Sequence, residues 1–430
     1  MDDKSKKAIT AKQIINLITP EFLSPIIDKN HADFHSRKLS AEILLKLLIL
    51  GQLLSTRDSQ RKMAYIYSTE MFHHVLSEAD ISVSHTAIST RLENFNADFF
   101  EQVYFNLLNM SQAAFKQDKT RDFVIDAVDS TMVRATSRLI SNKDVMTSGP
   151  KGDSGDSRQQ IKYTMIVDNV SAVYAKLHTL PAYLNEDRAL YEAVMGYSAT
   201  LPGSNLHKMS SIKDIFTFDR GLKGSKHLVA LEDKDEAFVC RVTRTRKFKT
   251  VEGKQFPQGD LPEGVTIIAD SIVNLTRPKS KGEAGPEFLD TPFRLVKANL
   301  GKEIGLRKGT AKKTETEIWI LTDILDPEVT AAELLDIYKE RWKIEVFFRF
   351  LKQNLGFAHM LSLNENGLTI VMYVSLITSL LLKLYCTING YKEENGKFRL
   401  QMDLSDDIIL ESEQLAKIHA NAKLPTHESQ

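Results

Sequence analysis

The run FVIDAVD, residues 123–129, constrains this chain more than any other stretch. It is rich in apolar and β-branched residues and bounded by charge, as a strand buried on both faces would be. Such a strand needs cover on two sides, so the expectation is an α/β sheet with helices packed over it. It also carries two acids. Strand alternation sends positions three apart to opposite faces, so only one of Asp126 and Asp129 can join a given site. Asp129 is favoured because it closes the run and is followed by Ser130 and Thr131.

Around that strand the chain divides by pattern. Residues 1–118 read as a helical N-terminal domain, since AEILLKLLILGQLL and ADFFEQVYFNLLNMSQAAF carry helical apolar spacing. Within it, SVSHTAISTRLENF reads as a polar turn feeding a helix, either a helix-turn-helix reader of DNA ends or a plain bundle helix. Residues 119–245 form the first part of a mixed-sheet core. After the polar loop GPKGDSGDSRQQ come IKYTMIVDNV and SAVYAKLHTLPA, joined at DNVS as a hairpin. The helix-like EDRALYEAVMGY, the strand DIFTFDRG and a fifth strand, AFVCRVTR, follow. Residues 246–325 read as a β-rich insertion built on GVTIIAD, PFRLVKA and EIWILTDI. Residues 326–390 return to the core, with Asp326 and Pro327 fitting a helix start. Residues 391–430 read as a polar tail.

Composition excludes more than it assigns. At 430 residues, with 56 Lys plus Arg against 56 Asp plus Glu, no bulk charge advertises a polyanion partner, although a local groove remains open. Cys240 and Cys386 are the only cysteines, which argues against a disulfide framework or a Cys-rich zinc site and favours a reducing cytosol. MDDKSKKAITAKQ lacks the apolar region of a secretion signal. LTIVMYVSLITSLLL falls short of the ~20 apolar residues that span a bilayer, so it reads as a buried helix, with no membrane partner. No GxxxxGK[ST], HExxH or GxSxG occurs, so no nucleotide cofactor is expected, and His85, His178 and His227 lack ligand spacing.

One helix-like stretch is unusual. In YKERWKIEVFFRFLKQNLGF, Tyr338, Arg341, Glu345 and Lys352 fall within an arc of roughly 60° on an α-helix, beside an apolar stripe. Intrahelical ion pairs on a solvated face would produce this row. So would a face that grips phosphates with its cations and a metal with its one acid, provided other carboxylates meet it. Asp129 and Asp219, the latter closing IFTFD ahead of Arg220 and Gly221, are the candidates, although each alone also suits a turn or cap. Two strand-end aspartates and one helical glutamate could hold a pair of Mg²⁺ ions for in-line phosphoryl displacement. RVTRTRKFKTVEGK is either a DNA track or a solvated hairpin.

The spacing of Tyr338, Arg341, Glu345 and Lys352 resembles the C-terminal signature of the insertion-sequence 4 family of DDE transposases. The DST at 129–131 and the DRG at 219–221 are similar to that family's two aspartate motifs, in the same order, over roughly residues 84–385. Leu222 departs from the family, which often has an aromatic there. The resemblance implies an RNase H-like catalytic core in which Asp129, Asp219 and Glu345 bind two Mg²⁺, with Mn²⁺ able to substitute. It also implies DNA contacts from Tyr338, Arg341, Lys352 and, more weakly, Arg220. The implied activity is cut-and-paste transposition on element ends and target DNA, by a homodimer in a synaptic complex, in a bacterial cytoplasm at the nucleoid. A catalytically silent DNA-binding regulator and a stand-alone RNase H-like nuclease are the alternatives.

Overall fold

The computed structural model describes residues 8–34, 36, 38–54, 59–76, 82–115, 122–134, 145–148, 158–200, 213–251, 256–277, 287–301 and 316–422. Most of GPKGDSGDSRQQ, the last three residues of RVTRTRKFKTVEGK and the end of the expected tail lie outside them. The chain forms two compact units, one from Met1–Lys116, Arg134–Lys143 and Arg349–Gln430, the other from Gln117–Val133 and Asp144–Phe348.

The second unit is organised by its sheet. Its strands are β1 (Phe123–Arg134), β2 (Thr147–Ser148), β3 (Arg158–Val167), β4 (Ala172–His178), β5 (Lys213–Phe218), β6 (Ala237–Arg241), β7 (Phe248–Val251), β8 (Thr266–Thr276), β9 (Phe288–Asn299) and β10 (Glu317–Thr322). They lie in the order β3-β1-β5-β6-β10-β9-β8-β7, with β4 and the two-residue β2 both paired to β3. β3 and β4 form an antiparallel hairpin, whose turn is closed by Asp168 Oδ1 accepting from Val170 N and Ser171 N at 2.7 and 2.8 Å. β1, β5 and β6 run parallel, and parallel neighbours need crossovers, which the helices Glu186–Thr200 and Ser225–Glu232 supply. The arrangement β4-β3-β1-β5-β6 is RNase H-like.

Burial on the sheet's two faces follows the strand alternation. One face packs Val128, Phe216 and Phe218 against Leu190, Ala193 and Val194 of the first crossover helix and Leu228 and Leu231 of the second. The other packs Ile125, Ile215, Val239 and Ile320 against Ala331, Leu334 and Ile337 of the helix Ala331–Lys339.

The β-rich stretch after β6 continues the same sheet, because β10 pairs antiparallel with both β6 and β9. It also sets the start of the Ala331–Lys339 helix. Arg294 of β9 is fully buried, paired to Asp270 at 2.9 and 2.7 Å, and donates to Val329 O at 2.6 Å. Pro257 O and Gln258 O accept from Ala331 N and Ala332 N, two donors with no partner inside their own helix. The helix starts later than Asp326 and Pro327 suggest. Thr330 is the N-cap in a capping box with Glu333, and Asp326 instead accepts from Glu328 N at 2.9 Å in a turn.

The first unit is helical. Its N-terminal portion contains Ala11–Ile15, Pro20–Asn30, Ala41–Leu54, Gln60–Tyr67, Glu70–Leu76, His85–Asn94 and Ala97–Ser111. SVSHTAISTRLENF becomes the helix His85–Asn94, capped by Ser84 and anchored by Ile88 and Leu92. The run from 368 lies inside Glu365–Asn389, a 25-residue helix long and apolar enough to cross a membrane. Of its most apolar window, 83% is buried. Two of the hydroxyls in its apolar run are bonded: Ser375 accepts from Gln52 Nε2 at 2.8 Å and Thr378 donates to Val374 O. Much of the stretch assigned to a polar tail is helix, Gly396–Ala422, with Leu400 and Leu404 buried.

Candidate active site

The site begins with register. β1 and β5 pair in parallel from Phe123↔Lys213 to Val128↔Phe218, and the next residues are Asp129 and Asp219. In-register neighbours on parallel strands point to the same face. The two aspartates therefore stand side by side at the carboxyl end of the pairing, on the face that carries the Ala331–Lys339 helix. β1 itself continues to Arg134, so Asp129 ends the β1–β5 pairing but not the strand, contrary to the sequence expectation. Asp126 belongs to the opposite face. It is 1% exposed, neither carboxyl oxygen has a hydrogen-bond partner, and burial, with Asp214 and Asp168 nearby, raises its pKa well above the ordinary carboxyl range.

The DST and DRG segments are pinned from behind. Asp129 Oδ1 accepts from Ser130 N at 2.7 Å, and the Ser130 and Thr164 hydroxyls are 2.9 Å apart. A Cβ on Gly221 would lie 2.8 Å from Glu186 Oε2 and from Leu190 Cδ1, so a larger residue would push on the crossover helix. Asp187, next along that helix, accepts from Lys223 N and Gly224 N at 2.6 and 2.8 Å and meets His227 Nδ1 at 3.0 Å.

The stretch from Tyr338 to Gly356 does not form one helix. Ala331–Lys339 ends, Glu340 and Arg341 make a turn, and a new helix runs Trp342–Asn354. Bonds of i→i−3 type span the break, from Arg341 N to Tyr338 O and from Ile344 N to Arg341 O. The single wheel expected from sequence is thus broken between Tyr338 and Glu345. Packing compensates: Tyr338 Oη donates to Asp219 Oδ1 at 3.3 Å, and Arg341 Nη2 meets Glu345 Oε1 at 2.5 Å. That second contact is the intrahelical-type ion pair of the plainer sequence reading, but Arg341 is buried, so the face is not simply solvated. Lys343, two residues before Glu345, donates to Ile125 O of β1 and to Asn169 Oδ1, tying the second helix to the aspartate strand.

Electrostatics tie these groups into one neighbourhood. Burial pushes the Asp129 carboxyl up from 3.8 to about 6; the Ser130 N–H and Arg341 oppose the rise, while Glu186 and Asp219 add to it. Burial likewise raises the Tyr338 phenol to about 12, with Asp219 reinforcing. Arg341 loses some basicity to burial, yet Tyr338, Glu345 and Asp219 hold it above its ordinary value. The buried Lys162 amine is lowered by desolvation, with Glu186 and Asp129 pulling it back. Among the described residues no group of three or more His, Cys, Asp or Glu side chains is close enough together to hold a metal ion.

Of the residues singled out from sequence, Asp129, Asp219, Tyr338 and Arg341 come together here, while Glu345 joins them only through its ion pair with Arg341, so the three acids do not form one metal-holding group. Arg220 lines a recess beside Asp219, and Lys352 falls in the part of its helix assigned to the helical unit. Glu186 and Lys162 escaped the sequence reading, because an acid opening a helix and a lysine inside a strand carry no spacing signal.

The family model described as "Transposase DDE domain" matches residues 122–381. A candidate transposase of Sinorhizobium fredii, y4zB, is 27% identical over 183 residues, 40% of this chain and 43% of that protein. A candidate transposase for the insertion sequence element IS4SA of Synechocystis is 39% identical over 56 residues, 13% of this chain and 17% of the relative. The chain thus spans less than half the length of these curated relatives. Among solved structures, the piggyBac transposase synaptic complex with hairpin DNA aligns over 97% of this chain and 83% of its own, with 11% identity and a TM-score of 0.44.

Proposed function

Because the chain belongs to the transposase DDE domain family, we propose that it binds the inverted-repeat ends of an insertion sequence and cuts and transfers DNA strands there. The observation that carries the reading is the register that sets Asp129 and Asp219 abreast at the end of the β1–β5 pairing, with Tyr338 and Arg341 against them. Strand ends at such a crevice are where open α/β sheets take their ligands.

The acids suit a hard divalent cation such as Mg²⁺, with Mn²⁺ as a substitute. Their donors are carboxylate oxygens, and the Asp129 carboxyl, raised to about 6 by burial and like-charged neighbours, is one that a nearby cation would relieve. Asp129, Asp219 and Glu345 would hold two such ions. When bound, the ions supply Lewis acidity to the attacking and leaving oxygens of a phosphodiester.

The chain's own side chains do the rest. Arg341 is the positive charge among the acids and pairs with Glu345; in the DNA-bound protein it turns its fork to phosphate oxygens and frees that carboxylate. Tyr338 steadies Asp219 through its hydroxyl and faces the strand with its ring. Lys352 and Arg220 add phosphate contacts, and Lys343 keeps the Glu345 helix against β1. Two element ends must be processed together, so a homodimer in a synaptic complex is the working assembly.

Incubation with Mg²⁺ and a duplex carrying the inverted repeats that flank the gene tests the proposal. Cleaved ends and joined products are expected from the native chain. Glu345→Gln should keep end binding and lose cleavage by about 10²-fold or more. Cutting without joining, indifferent to element ends, would point to a nuclease. End binding with no cutting by the native chain would point to a regulator.

A further inference from the structure

A recess of about 280 Å³ opens next to the second aspartate. The residue after Asp219, Arg220, contributes to its wall, joined by Lys223, Arg241, Arg246, Lys247 and hydroxyls that include Thr245. Among the described residues, five of its lining side chains are cationic and no Asp or Glu lines it. Arg246 donates to Lys223 O and Ser225 Oγ at 3.0 Å each, both neutral acceptors, and the Asp187 carboxylate lies within electrostatic reach of it. Lys223 and Lys247 are both exposed in the lining of the recess, and the Lys223 backbone N–H donates to Asp187 Oδ1 at 2.6 Å. The volume lies below the roughly 300–1,000 Å³ of ordinary small-molecule pockets, and the lining has little apolar surface to offer one. A compact, multiply charged oxyanion fits both limits.

We propose that this recess is a phosphate-binding pocket that holds a phosphodiester of bound DNA beside the Asp129–Asp219 pair. The proposal rests on the transposase reading for its ligand and assigns to RVTRTRKFKTVEGK, through Arg246 and Lys247, the role of positioning the strand.

The test uses the full chain and a random-sequence duplex without divalent cation, so that binding is read apart from cleavage. Lys223→Gln combined with Lys247→Gln alters two exposed rim residues and should fold normally, as a thermal melt verifies. The slope of log affinity against log salt should fall by about 2, because each phosphate contact contributes about 0.9. Lys226→Gln with Lys234→Gln, an equal charge change outside the recess, should leave the slope in place. An unchanged slope in the rim variant, or an equal fall in the control, overturns the proposal. In a parallel arm the chain is titrated with inorganic pyrophosphate. Loss of pyrophosphate binding in the rim variant without a change in the DNA slope would also overturn it, since the pocket would then serve a free anion. End cleavage is scored separately. Its absence beside a reduced slope would sink the transposase reading and leave the pocket standing.

Discussion

Asp126 and Asp129 sit three residues apart on one strand, and the protein treats them oppositely. Asp126 faces the crossover helices, sealed from water with no hydrogen-bond partner and driven toward its neutral form by burial. Asp129 stands at the end of the β1–β5 pairing with Asp219 beside it, a backbone N–H on one oxygen and the Arg341 charge in reach. The pair teaches that an acid's chemistry comes from the face it lands on rather than from the strand that carries it. Burial raises both carboxyls and so costs stability at neutral pH, but only Asp129, at about 6, is poised between neutral and ionised forms.

The comparison is broken most directly by neutralising each acid in turn. Asp129→Asn should cut end cleavage by about 10²- to 10³-fold, while Asp126→Val leaves it within a few-fold. Equal losses would mean that both faces serve the chemistry.

Stability sharpens the contrast. The Asp129 carboxyl is raised in the folded state, so that state binds a proton which the unfolded chain has already released between pH 3.8 and about 6. The associated stability is fully present below pH 3.8 and is lost as pH rises through about 6. Asp129→Asn should therefore be the more stable protein at pH 8, by roughly 1–3 kcal/mol, with the advantage gone near pH 3. Native protein should regain part of the difference in Mg²⁺, and the variant should not. Denaturant melts across pH check this, and a variant less stable at pH 8 refutes it. Asp126→Val should stabilise at neutral pH by about 1–3 kcal/mol, because it removes a buried polar group without partners.

The smallest effect belongs to the contact that bridges the broken helix. Tyr338→Phe deletes the hydroxyl on Asp219 and should slow end cleavage by about 2- to 10-fold, the equivalent of one ordinary hydrogen bond. A loss beyond a hundredfold would give Tyr338 a direct part in the reaction.

Local pattern made much of this legible. FVIDAVD read as a buried strand because both of its faces are covered, and the two crossover segments were legible from apolar spacing and turn chemistry. The break at Glu340–Arg341 was not, for no Pro or Gly marks it. It is set where Ile337 docks in the sheet's core while Lys343 is drawn to Ile125 O. The β-rich stretch read as an insertion, and because strand runs do not name their partners, its continuation of the central sheet was visible only in the β6–β10 pairing.

By itself the sequence determined which segments are strand or helix and which acids stand near strand ends, since those preferences act between residues a few positions apart. Tertiary structure decided that Val128 pairs with Phe218, and with that rung the meeting of Asp129 and Asp219, the approach of Glu186 and the contact of Tyr338 with Asp219. Register between strands ninety residues apart is chosen by packing on two faces at once, and no single stretch of chain contains both.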